Sequence, residues 1–372
     1  MTATGTLSIA HIDAESGFSG GEVQVFLLME GLAKRGHRNV LFAPPGSKCA
    51  SEAARRGFEA HVVSMRGDLD FPAVLRLKRA LQRAEVDLAH LHTGRATWLG
   101  GLAARWAGLA AITTRRQDRP LARSARTRLV YQKLVRRAVA ISPAVARRLA
   151  AGGVDSARLV TIPSSVDPER LCPRRTRAEV RAELGLGAHD FVVLTLAALV
   201  VRKGVDLLLE ACARAGRACT LLVAGEGPER TRLEERAREL GAACTVRFLG
   251  AREDKAELLE ACDVFALASR SEGLGVAALE AMARARAVLA TRVGGLAEAV
   301  VDGHTGLLVA PGDIEGLAHA LRRLHDDPAL RARLGAAGPR RVQESFAAEQ
   351  MVGAYEALYR TVLSEARAEA VA

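Results

Sequence analysis

Residues 268–283 read Ala-Ser-Arg-Ser-Glu-Gly-Leu-Gly-Val-Ala-Ala-Leu-Glu-Ala-Met-Ala and set two carboxylates, Glu272 and Glu280, around a glycine-containing turn that runs into a helix. Glu280 is the one charge in an otherwise apolar run from Val276 to Ala283. A carboxylate there is costly to bury unless something hydrogen-bonds it. Gly273 and Gly275 let backbone approach a ligand closely, and the N–H groups of Leu274, Gly275 and Val276 point off a helix N-terminus that favours an anion. Such a stretch suits a molecule with hydroxyls at its ends and a phosphate between. An ordinary helix with Glu at its one exposed position has the same pattern.

Other stretches offer matching chemistry. Arg202-Lys203-Gly204 stands at a predicted helix start, and Lys203 is one of only six lysines among 53 basic residues. A compact ammonium beside an arginine would neutralise a diphosphate. Gly20-Gly21, at a strand-to-helix turn, could hold a phosphate on bare amides or be a plain tight turn. His90 and His92 bracket a strand end and are expected to diverge, so that at most one meets a ligand; His92 is the candidate. Arg115, Arg116 and Arg119 form a basic loop able to meet a phosphate, and Arg252 could border a base.

The elements that must position these residues alternate. Strands are predicted at 7–12, 40–43, 61–63, 88–91, 111–113, 138–141 and 159–162, then at 191–197, 220–224, 245–249, 264–266, 288–291 and 307–309, with helices between most of them. This is the βαβ rhythm of doubly wound parallel sheets, which bind ligands beyond the carboxyl ends of their strands. Pro163, Pro168 and Pro173 mark a connector. The expected domains are 1–170, 171–345 and a closing helical segment, 346–372.

Charge is unevenly placed. Residues 1–175 hold 28 basic and 14 acidic side chains, whereas the rest of the chain is slightly acidic. The first half is therefore expected to meet an anionic partner. Aromatic content of 4% and the lack of a zinc-finger or base-stacking motif argue against nucleic acid, leaving an anionic membrane surface or a plain solvated face. The six cysteines are scattered without Cys-x-x-Cys or metal-ligand spacing, which suits reduced thiols in a cytoplasmic protein. No signal peptide is visible, and the longest apolar stretch is about half a membrane span.

Taken together, the motifs resemble the retaining glycosyltransferases of family 4, most closely over residues 191–346. The resemblance rests on Arg202-Lys-Gly-Val-Asp-Leu-Leu-Leu-Glu-Ala, Gly225-Glu-Gly-Pro, Arg247-Phe-Leu-Gly, Ser271-Glu-Gly-Leu-Gly with Glu280-Ala-Met-Ala, Gly294-Gly-Leu-Ala-Glu and Gly303-His-Thr-Gly-Leu-Leu-Val-Ala-Pro-Gly-Asp. The first half matches through Gly20-Gly21-Glu22, His90-Leu-His92 and Ile141-Ser142. The resemblance implies the GT-B fold, two Rossmann-like domains facing across a cleft, with the last helix crossing back onto the first domain. It implies a UDP-, GDP- or ADP-linked sugar as donor, no cofactor and no metal.

By similarity, Glu280 would take the ribose hydroxyls and Glu272 would contact the transferred sugar. The amides of Gly273, Leu274, Gly275 and Val276 would contact sugar and phosphate, Lys203 with Arg202 would stabilise the leaving diphosphate, and Gly20-Gly21 would touch the distal phosphate. Three positions depart from the family pattern: Ala197-Ala198 where Gly-Arg is usual, Arg115 where many members have histidine, and Ser164-Ser165 for Asn-Gly. The expected acceptor is a glycan or glycolipid of envelope polysaccharide assembly, met by a cytoplasmic protein peripheral on the inner face of the membrane. A nucleotide-sugar epimerase and an inactive nucleotide-sugar-binding subunit share the pattern.

Overall fold

In the computed structural model, which describes residues 5–241 and 244–371, all thirteen predicted strands are present. Seven belong to one parallel sheet: β1 (Ser8–Ile12), β2 (Arg38–Ala43), β3 (Glu59–Val62), β4 (Leu88–Leu91), β5 (Ala110–Arg115), β6 (Arg137–Ala140) and β7 (Leu159–Thr161), in the order β3-β2-β1-β4-β5-β6-β7. Six form a second: β8 (Val192–Leu196), β9 (Thr220–Ala224), β10 (Thr245–Gly250), β11 (Val264–Leu267), β12 (Ala287–Thr291) and β13 (Gly306–Val309), in the order β10-β9-β8-β11-β12-β13. Their central strands are apolar on both faces because helices cover both sides of each sheet. In each sheet the winding reverses once, between β1 and β4 and between β8 and β11, and these switch points open a crevice at the carboxyl edge.

The chain divides into two compact units, residues 1–164 with 348–372, and residues 165–347. The final helix, Ala348–Val371, belongs to the first unit. There Tyr355 and Tyr359 are fully buried among Leu28, Leu32, Leu88 and Ile112. Their hydroxyls are paired rather than stranded: Tyr359 with His90 Nδ1 at 2.7 Å, and Tyr355 with Thr114 Oγ1 at 2.8 Å. Ion pairs from Arg35, Arg136 and Arg137 to Glu356, Glu369 and Glu365 fasten the solvent side of the same helix. Among the described residues, no helix is long and apolar enough to cross a membrane.

Because Tyr359 fills the base of this core, Tyr359→Ala is expected to destabilise the first unit by about 3–5 kcal/mol. Urea unfolding followed by circular dichroism measures it; a loss below about 1 kcal/mol would show that the helix is not integral to this core.

Candidate active site at the strand ends

The second unit gathers the donor-side candidates by pressing two loops together. Gly204, at φ +63°, ends the short turn Val201–Lys203, and a Cβ there would lie 1.9 Å from the carbonyl oxygen of Ala268, just past β11. Only glycine permits that approach. The Arg270 amide then donates to the Arg202 carbonyl at 2.8 Å, and the Arg270 guanidinium clamps Asp206 at 2.7 and 2.6 Å. Through this clamp Lys203 reaches across the β8–β11 switch point and forms an ion pair with Glu272. Both side chains are largely buried, and Ser269 Oγ donates to the same carboxylate at 3.4 Å.

Glu272 is held from its other side as well. The Gly295 amide donates to the Glu272 carbonyl at 3.1 Å, which docks the loop after β12 onto the loop after β11. Gly275, at φ +85°, then turns the chain into the helix Val276–Ala283 and caps it without a side chain. Gly275 therefore offers the first-turn amides of this helix, Val276 among them, no capping side chain. They offer partial positive charge beside the Lys203–Glu272 pair. One turn further along, Glu280 is buried, and its carboxylate is met by Lys255 Nζ at 3.2 Å.

Lys255 was not among the residues anticipated as site components, yet its signal was present. Lysine is scarce in this arginine-rich chain, and two of the six lysines pair with the two carboxylates of the 268–283 stretch. Arg202 is exposed, next to Lys203. Arg252 bonds Asp254 at 2.7 and 2.6 Å and Glu183 at 3.4 Å, so its charge is already matched by two carboxylates.

In the first unit the carboxyl edge carries a buried polar chain rather than a lone histidine. Asn39 sets its direction. Asn39 Nδ2 donates to the carbonyls of Met29 and His37, so Oδ1 is the atom that accepts from His11 Nε2 at 3.0 Å. His11 Nδ1 must then accept from His92 Nε2 at 3.0 Å, which leaves His92 Nδ1 an acceptor, 3.5 Å from Arg116 Nη2. His90 sits beside His92, with ring centroids 3.9 Å apart, and bonds Thr114 and Tyr359. The expectation that His90 and His92 diverge is therefore corrected: residues two apart on an extended chain share a face.

Gly20 and Gly21 open the helix Gly20–Lys34, whose N-cap Ser19 forms a capping box with Glu22. The Gly21 amide accordingly bonds Ser19 Oγ at 3.3 Å, while the space around Gly20 is open. The side chain of Arg116 runs alongside Gly21, and its Nη2 lies 3.5 Å from His92 Nδ1. Asp13, which follows β1, is buried, and its burial pushes the carboxyl up to about 7. His11, Asn39 and Asp13 left no distinguishing mark in the sequence, because only the β2-β1-β4 register brings them beside His92.

Burial lowers the His11 pKa to about 4 and those of His90 and His92 well below the ordinary 6.5. The unfolded chain therefore takes up three protons near pH 6.5 that the native unit refuses, and stability must fall as pH drops through that range. Asp13 acts in the opposite sense, since the native carboxyl keeps its proton up to about 7 and the unfolded one releases it near 3.8. Three histidines outweigh one carboxyl, so stability is expected to fall as pH drops from about 6 toward 5. Urea midpoints across that range should show it, and His11→Gln should remove about one proton from the slope; an unchanged slope would contradict the neutral chain.

Known proteins match both units. A family model described as "Glycosyl transferases group 1" matches residues 176–341, and one described as "Glycosyltransferase Family 4" matches residues 18–170. Two parallel sheets with this winding also define the GT-B class: the chain superposes on Anabaena Alr3699/HepE, solved with UDP and glucose, with a TM-score of 0.86 at 21% identity over 95% of this chain and 100% of that one. The chain belongs to glycosyltransferase family 4. A GDP-mannose-dependent alpha-(1-6)-phosphatidylinositol monomannoside mannosyltransferase of Mycolicibacterium smegmatis is 32% identical over 86% of this chain and 89% of its own length. The lipopolysaccharide core biosynthesis glycosyltransferase LpsE of Rhizobium meliloti is 38% identical over 49% of this chain and 53% of its own length. That match, like those to several other curated relatives, spans only about half the length of the relative.

Proposed function

We propose that the protein is a retaining glycosyltransferase that moves a sugar from a nucleotide-sugar to a hydroxyl of a membrane-associated glycolipid or envelope polysaccharide precursor. The observation that carries the reading is the Lys203–Glu272 pair beside uncapped helix amides, one turn from the Lys255-paired Glu280. When the glycosidic bond to phosphate breaks, negative charge grows on the leaving diphosphate while the anomeric carbon becomes cation-like. Lys203, with Arg202 next to it, offsets the first charge, and Glu272 contacts the sugar and balances the second; their ion pair supports this division. Glu280 takes the ribose hydroxyls, drawing part of its charge compensation from Lys255. These residues supply the charge balance themselves, with neither metal nor cofactor.

The first unit takes the acceptor. Arg116 beside Gly21 offers a phosphate contact, and His92 presents an acceptor nitrogen for a sugar hydroxyl. A lipid-linked acceptor also explains an otherwise odd surface. Leu69, Phe71, Leu75 and Leu129 are exposed on this unit, close to a Trp98–Arg126 stack that Asp68 ties together. Apolar side chains rimmed by arginines suit an anionic bilayer at the inner face of the membrane. UDP and UDP-glucose bound to HepE, and GDP-mannose named for the mannosyltransferase, support a nucleotide-sugar donor of the same chemical class.

Incubation with UDP-, GDP- and ADP-sugars labelled in the sugar tests the activity directly. Transfer, or slow donor hydrolysis with retained anomeric configuration, is expected; an epimerised donor, or binding without turnover, would replace this reading. With the donor identified, Glu280→Ala should weaken its binding by about 1–3 kcal/mol in calorimetry. Lys203→Ala should slow turnover more than it weakens binding, because its charge is needed most as the diphosphate departs. Equal effects on both would deny it that role. Sedimentation with phosphatidylglycerol vesicles should be salt-sensitive and fall in a Leu69→Ser, Phe71→Ser variant; no binding at low salt would remove the membrane from the proposal.

A further inference from the structure

We propose that Cys212, Cys219 and Cys244 form a binding site for a soft, thiophilic metal ion at the amino edge of the second sheet. Three separate elements supply the sulfurs. Cys219 and Cys244 immediately precede β9 and β10, whose parallel register pairs Thr220 with Thr245 and so sets the two cysteines side by side. Cys212 comes from the last turn of the helix Val205–Ala215 and is fully buried against them. All three sulfurs lie within 4.8 Å of one another, and Cys219 and Cys244 are 3.0 Å apart.

The dimensions fit a trigonal ligand set. A metal about 2.3 Å from three coplanar sulfurs spaces them about 4 Å apart, so shifts of about 1 Å would seat it. Sulfur ligation selects ions such as zinc or cuprous copper over hard cations. Each ligating thiol gives its proton to solvent as the metal–sulfur bond forms. A simple disulfide between Cys219 and Cys244 would leave the third sulfur, buried against both, without a role. Partial exposure of Cys219 gives an ion its way in. The site is the length of β9 away from Lys203 and is separate from the transfer chemistry.

Cadmium is a suitable probe, because thiolate-to-cadmium charge transfer absorbs in the ultraviolet and ligation by histidine alone does not produce that band. Titrating the reduced full-length protein with Cd2+ under anaerobic conditions should give a band saturating at one equivalent and a raised thermal midpoint. Cys219→Ser and Cys244→Ser, each checked for folding by circular dichroism, should lose the band, and Cys172→Ser should keep it. No band at one equivalent, or a band that survives Cys219→Ser in the folded protein, would overturn the proposal. So would air oxidation yielding a Cys219–Cys244 disulfide in a protein that, when reduced, ignores cadmium.

Discussion

Two carboxylates, Glu272 and Glu280, are buried at the carboxyl edge of the second sheet, where a charge without a partner is costly. Much of the local architecture follows from that constraint. Glu272 and Glu280 each receive a lysine, Lys203 and Lys255, from a different strand end. Bringing Lys203 within reach requires the turn at Gly204 to press on the backbone of Ala268, closer than any side chain would allow. Removing either lysine strands a buried carboxylate, which costs far more than the intact pair contributes. The pairing thus fixes the positions of both carboxylates.

The first unit solves a different problem with the same economy of position. Its edge holds three histidines that burial keeps neutral, and neutrality gives the chain from Asn39 to Arg116 a single direction. The final helix takes part in the same network: Tyr355 and Tyr359 complete hydrogen bonds that Thr114 and His90 would otherwise leave unmade. Stability and site geometry are therefore one structure here, not two. Arg116 is where this buried chain reaches the surface, beside the glycine turn.

Periodicity and punctuation in the sequence were enough for the strands. Short apolar runs separated by amphipathic helices admit few alternatives to parallel sheets, and all thirteen strands lie where that pattern puts them, with ends differing by up to two residues. The 268–283 stretch was legible for a related reason. One charge in an apolar helix start, preceded by glycines and a second carboxylate, is a strong local anomaly.

What the sequence could not supply were partners distant along the chain. Lys255 lies 25 residues from Glu280, Asn39 lies 28 from His11, and Cys219 lies 25 from Cys244. No spacing rule links them, because sheet register and loop packing, which form only when the whole unit condenses, decide which side chains meet. Even His90 and His92, two residues apart, needed the geometry of the strand end to show that both rings enter one cluster. By itself the sequence determined the two-sheet architecture and the residue types at the strand ends, since those depend on local pattern. Only the tertiary structure decided which charges are paired, which histidine nitrogen is left to accept a hydrogen bond and which cysteines share a site, since those depend on contacts across strands.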